Sequence, residues 1–125
     1  GIAVCEIQQN NPITYRLYDY GRPRELHLEK AIDVSLPGPH PGPFTPSGGA
    51  LVSSKHFSVE RLDLQGEGSL PADPRFRLLV VLEGDGRLAG APFAAGETWY
   101  APPSAEPLPV AAPSRAVLLC ARPAL

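Results

Sequence analysis

"FRLLVVLEGDGRLAG", Phe76–Gly90, decides the reading of the fold. Phe76 to Gly84 is a short, β-branched apolar run of the kind that fills a buried strand, and "GDG" supplies the Asp-Gly chemistry of a tight turn leading into "RLAG". A phosphate cradle at "EGDG" would need a helix after it, and no helical pattern follows. Working outward, "HFSVERLDL" (56–64) alternates Phe57, Val59, Leu62 and Leu64 imperfectly, while "GETWYAP" (96–102) and "RAVLLCA" (115–121) supply two more strands. Five or six short strands after Ala50 predict a mainly β chain, a small sandwich or barrel.

Before Ala50 the pattern changes. "IAVCEIQQ" (2–9) and "ITYRLYDY" (13–20) flank "NNP" and read as an antiparallel hairpin. With the turn centred near Asn11, Glu6 faces Arg16, Gln8 faces Thr14 and Ile7 faces Tyr15. Alternation then places Glu6, Gln8, Thr14 and Arg16 on one face and Ile7, Tyr15 and Leu17 on the other. "GRPRELHLEKAIDV" (21–34) carries Pro23, Glu25 and a mixed helical spacing of apolar residues, which predicts one helix of about ten residues. "SLPGPHPGPFTPSGG" (35–49) is too rich in Pro and Gly for a ladder or helix and reads as a connector.

The 125 residues fit one domain, with no second full domain expected, and the formal charge of −2 with no run of like charge argues against nucleic acid or an anionic membrane as partner. No apolar run approaches the ~20 residues of a membrane span, and no signal-peptide pattern opens the chain. Cys5 and Cys120 form no CxxC or Cys/His motif and are expected as reduced core thiols of a cytoplasmic protein. The lack of any Met, the first residue included, leads to the expectation that the chain is cut from a longer one.

"EIQQNNPITYRLYDYGRPRELHLEKAIDV", Glu6–Val34, resembles the signature of the bacterial short-form type I mannose-6-phosphate isomerases, which are zinc-dependent cupin enzymes. "HFSVERLDLQG", "FRLLVVLEGDGRL" and "AAGETWYAP" resemble strands of that family's C-terminal cupin-like domain, and Gly96–Pro102 fits one half of a second cupin motif whose remainder is absent. The resemblance implies a cupin-type sandwich or barrel with one short helix. Residues 1–34 would then end the catalytic cupin, 35–49 connect, and 50–125 form the C-terminal domain. It implies that Arg16 is the catalytic arginine and Glu6 the active-site carboxylate. The family's zinc ligands lie upstream of "EIQQ", so no metal ligand is expected in this chain and little or no isomerase activity from it alone.

Aldose–ketose isomerisation moves a proton between adjacent carbons through an enediol, which needs a base and a stabiliser of the developing oxyanion. Glu6 and Arg16 match those needs, and the Arg16 fork also suits the phosphate of a hexose 6-phosphate. The plainer reading is an ordinary cross-strand ion pair worth tenths of a kcal/mol to ~1 kcal/mol. His27 and Lys30 are candidates to approach substrate at one end of the site, or else form a packed or solvated helix face. His40 is expected to be exposed and His56 structural; Trp99 and Tyr100 read as core filling, with sugar stacking as the alternative. The rival to an isomerase segment is a non-catalytic cupin-like module that binds a sugar phosphate or mediates oligomerisation. An unpaired edge at the chain's start would favour self-association.

Overall fold

The computed structural model describes residues 1–40, 42 and 48–124, and two compact units divide the chain between Pro43 and Phe44. The expected connector lies partly outside the described residues, at positions 41 and 43–47. The second unit is one antiparallel sheet of seven strands: β1 (Ala50–Ser53), β2 (Phe57–Leu70), β3 (Arg77–Glu83), β4 (Asp85–Leu88), β5 (Ala91–Ala94), β6 (Thr98–Ala101) and β7 (Leu108–Pro123). The order is β1-β2-β7-β3-β6, with β4 pairing both β5 and β7.

The centre is β7, whose Ala116–Ala121 are six consecutive buried residues. That explains why "RAVLLCA" reads as a continuous apolar run rather than an alternating one. Its ladder with β2 shifts register between Leu64 and Gly66. The second half of β7 pairs with β3 and the first half with β4, so β3 and β4 are successive partners of one long strand. Leu79, Val81, Leu88, Phe93, Val110, Leu118 and Cys120 share the resulting core.

This topology corrects the turn. "GDG" does not reverse the chain: Gly84 alone separates β3 from β4, and these two strands do not pair with each other. Gly84 has φ +80°, and a Cβ there would stand 2.6 Å from the Arg115 carbonyl oxygen, so glycine lets the chain pass β7 closely. The hairpin comes five residues later at Ala89 and Gly90, with φ +48° and +81° between β4 and β5. Two positive φ values in a two-residue loop suit the right-handed twist of the flanking strands, even with Ala in the first place.

The first unit is built differently. Residues 1–20 form no strand, so neither the hairpin nor its Glu6–Arg16 cross-strand pair is present, and the edge expected to favour self-association is not a strand. The physical reason is that a lone two-stranded ribbon is marginal without a third strand or a packed face. Asn11 instead closes a local turn, its side-chain oxygen accepting the Ile13 amide at 2.9 Å. The helix is shorter than expected, α1 at Leu28–Asp33, and its N-cap position, His27, makes no side-chain capping bond. Cys120 is buried as expected, but Cys5 is exposed. Trp99 is half-buried against the core, whereas Tyr100 is exposed and stacks on Phe76 with ring centroids 5.7 Å apart.

Candidate functional site

In the first unit, Tyr20 and Gly21 both take positive φ and the Arg22 amide returns to the Asp19 carbonyl at 2.9 Å. This tight reversal brings "RPR" back over Asp19. The Asp19 carboxylate is buried, and the Arg24 guanidinium grips it through both Nε and Nη2. Arg22 Nη1 lies 3.9 Å and Arg16 Nε 4.0 Å from the same carboxylate. The Arg24 hydrogen bond is the main reason that the Asp19 carboxyl is held below the usual range, so it stays ionised at neutral pH. Three guanidinium groups therefore share one carboxylate, which leaves a surplus of positive charge.

Arg16 and His27 are also locked together. The His27 amide donates to the Arg16 carbonyl at 2.8 Å, and the Arg16 amide donates to His27 Nδ1 at 3.3 Å. Arg16 Nη1 donates to the Glu25 carbonyl at 3.1 Å. Tyr15 bridges to the helix, with its ring centroid 6.0 Å from that of His27 and 5.9 Å from Lys30 Nζ. Three of the four residues singled out from sequence, Arg16, His27 and Lys30, thus meet in one cluster around Tyr15 and Asp19. Glu6 stands outside it: the side chain is exposed and has no hydrogen bond or ion pair among the described residues.

Sequence reasoning missed Asp19, Arg22 and Arg24. Their signal was present in "DYGRPR", a Gly-containing turn that carries an acid before it and arginines after it.

The described residues do not fit a zinc site. His27 Nδ1 is occupied by the Arg16 amide and its Nε2 is 3.7 Å from Glu25; His40 Nδ1 accepts the Gly42 amide at 3.0 Å; His56 is exposed. No group of three or more His, Cys, Asp or Glu side chains gathers among the described residues. No helix among them is long and apolar enough to cross a membrane.

The sheet, with its long paired β2 and β7, is that of a cupin. An RmlC-like cupin from Shewanella frigidimarina superposes with a TM-score of 0.51 over 63% of this chain and 79% of that one, at 18% identity, a likeness of fold alone. The solved mannose 6-phosphate isomerase from Bacillus subtilis is more informative, with a TM-score of 0.65 at 27% identity over 86% of this chain and 39% of that one. By sequence the chain is similar to part of the mannose-6-phosphate isomerases. It is 37% identical over 120 aligned positions to mannose-6-phosphate isomerase ManA of Bacillus subtilis, an alignment covering 82% of this chain and 38% of that relative. The chain thus spans about two-fifths of the length of that relative. No protein-family model matches the chain.

Proposed function

We propose that this chain is the C-terminal part of a mannose-6-phosphate isomerase, and that the cluster around Arg16 binds the sugar phosphate. The parent reaction interconverts mannose 6-phosphate and fructose 6-phosphate in the cytoplasm. The observation that carries the reading is the sharing of one buried carboxylate by Arg16, Arg22 and Arg24. Their positive surplus complements a phosphate dianion, and the planar guanidinium fork matches its oxygens.

Within that reading each residue has a separate task. Arg16, held by its bonds to Glu25 and His27, presents a fixed donor to the phosphate or to the oxyanion that develops at the sugar carbonyl. Lys30 and His27 line the same cluster and add charge and a hydrogen-bonding ring on the substrate side. Glu6 is assigned the acid–base role, taking a proton from the carbon beside the carbonyl and returning it to the neighbouring carbon through the enediol. Residues 1–34 finish the catalytic domain in this reading, and residues 50–125 form the C-terminal cupin-like domain. The exposed Ile2, Val4 and Ile13 support that division, since such side chains gain by packing against a larger partner domain. Because the described residues offer no zinc donor set, the chain alone is expected to bind substrate without turning it over.

Calorimetric titration with mannose 6-phosphate tests the assignment. Removing a charged hydrogen-bonding partner costs ~1.5–3 kcal/mol, so Arg16→Ala is expected to weaken binding by about tenfold to a hundredfold. Equal affinity of the variant and the unaltered chain overturns the role given to Arg16.

A further inference from the structure

We propose that the sheet carries a second binding site, a cavity in which Arg77 holds a small oxyanion of the phosphate or carboxylate class. The proposal involves residues of the second unit alone and does not depend on the isomerase reading. Arg77 opens β3 and alternates inward with Leu79 and Val81, so its long cationic side chain is on the buried face. The residue is 3% exposed. Its Nη1 donates to the Pro71 carbonyl at 2.8 Å, while its Nε is buried with no hydrogen-bond partner among the described residues. Arg77 also makes no ion pair there.

The carboxylates nearby are already engaged. Asp73, itself buried, accepts Arg75 through both oxygens at 2.8 and 3.0 Å and Arg122 at 3.1 Å. Glu60 pairs with the other arm of Arg122. Arg77 is therefore left with no carboxylate paired directly to it among the described residues and with a buried donor that nothing there accepts, an unfavourable arrangement for a buried cation. Beside it lies a cavity of about 400 Å³ whose walls also include Leu62, Leu70 and Cys120. That volume falls in the range of small-molecule sites, which combine apolar walls with a few convergent polar groups. An anion with two oxygens in one plane would satisfy Nε and neutralise the guanidinium together.

The ion pairs also argue against a cation as occupant. Both carboxylates of the cavity are already neutralised by arginine, and Arg77 adds positive charge. Burial raises the pKa of the Cys120 thiol, so that side chain is a neutral wall at pH 7.

The test is a titration of the ¹⁵N-labelled chain with inorganic phosphate, with acetate and with mannose 6-phosphate, each against sodium chloride at matched ionic strength, reading the arginine Nε–Hε resonances. A saturable shift of the Arg77 resonance is expected with at least one of the three, and the pattern tells free phosphate, carboxylate and sugar phosphate apart. No shift at Arg77 beyond the salt control in all three overturns the proposal. Arg77→Met, close in length and without donors, is expected to lose, in an Arg16→Ala background, the anion-dependent rise in Tm that the Arg16→Ala chain keeps; a rise that survives in the double variant also overturns the proposal. Should the variant not fold, the Arg77 resonance of the unaltered chain decides alone. A shift at Arg16 with a silent Arg77 rejects this site while leaving the proposed function standing.

Discussion

The two units of the chain dispose of apolar side chains in opposite ways. In the sheet, Leu79 and Leu118 are fully buried and Val81 is 1% exposed; in the first unit Ile2 is 93%, Val4 83% and Tyr20 81% exposed. The sheet is organised by hydrophobic burial around β7. The first unit is organised by hydrogen bonds and charge around Asp19 and Arg16. Most of the apolar burial thus lies after residue 50, while Arg16, Arg22 and Arg24 gather on Asp19 before residue 25.

Substitutions can break this contrast in graded steps. The largest effect is expected at the centre of β7, where Leu118→Ala removes a fully buried side chain and costs ~2–5 kcal/mol, seen as a lower urea midpoint. Ile2→Ala, in the exposed segment, should change the midpoint by no more than ~0.5 kcal/mol equivalent. A comparable loss at both positions would show that the first unit has a core of its own.

Next comes Gly86→Ala, in β4. A Cβ there would press on the Ala111 carbonyl oxygen and lie 2.7 Å from Phe93 Cζ, so overpacking of ~1–3 kcal/mol is expected. A neutral result in the same urea experiment would mean that β4 and β7 are not held as closely as the ladder indicates.

A smaller, pH-dependent effect is expected at Asp73. Its hydrogen bonds with Arg75 are the main reason that its carboxyl is held below the ordinary range in the folded state. The folded protein therefore takes up this proton less readily than the unfolded chain. The stabilisation is fully present above the unfolded value of about 3.9 and is lost as pH falls through the lowered folded value. Asp73→Asn should flatten the acid limb of a Tm–pH profile below about pH 4, and an unchanged limb would remove Asp73 from that account.

Much of the sheet was legible from local pattern. "FRLLVVLE" and "RAVLLCA" became β3 and the middle of β7 because a short run of branched apolar residues has few alternatives to a buried strand. The turn was misplaced because Asp85-Gly86 has favourable hairpin chemistry, yet Gly86 is needed for its missing Cβ beside Phe93. Tertiary packing, invisible along the chain, assigned that glycine. The inward position of Arg77 was within reach, since it falls in step with Leu79 and Val81. The N-terminal hairpin failed for the opposite reason: its residues suit strands, but a ribbon without a third strand gains too little to stay formed. Arg16, His27 and Lys30 were nevertheless singled out together, while Asp19, the acid around which the arginines gather, was passed over as one residue of a strand.

The central claim is that the cluster around Arg16 recognises a sugar phosphate. Its most direct test is a ¹⁵N NMR titration of residues 1–125 with mannose 6-phosphate, mapped residue by residue and repeated with unphosphorylated mannose. The account predicts saturable shifts at Arg16, Tyr15, His27 and Lys30 with the phosphorylated sugar and none with mannose. Unmoved resonances at Arg16 and its neighbours, or equal responses to the two sugars, would contradict it.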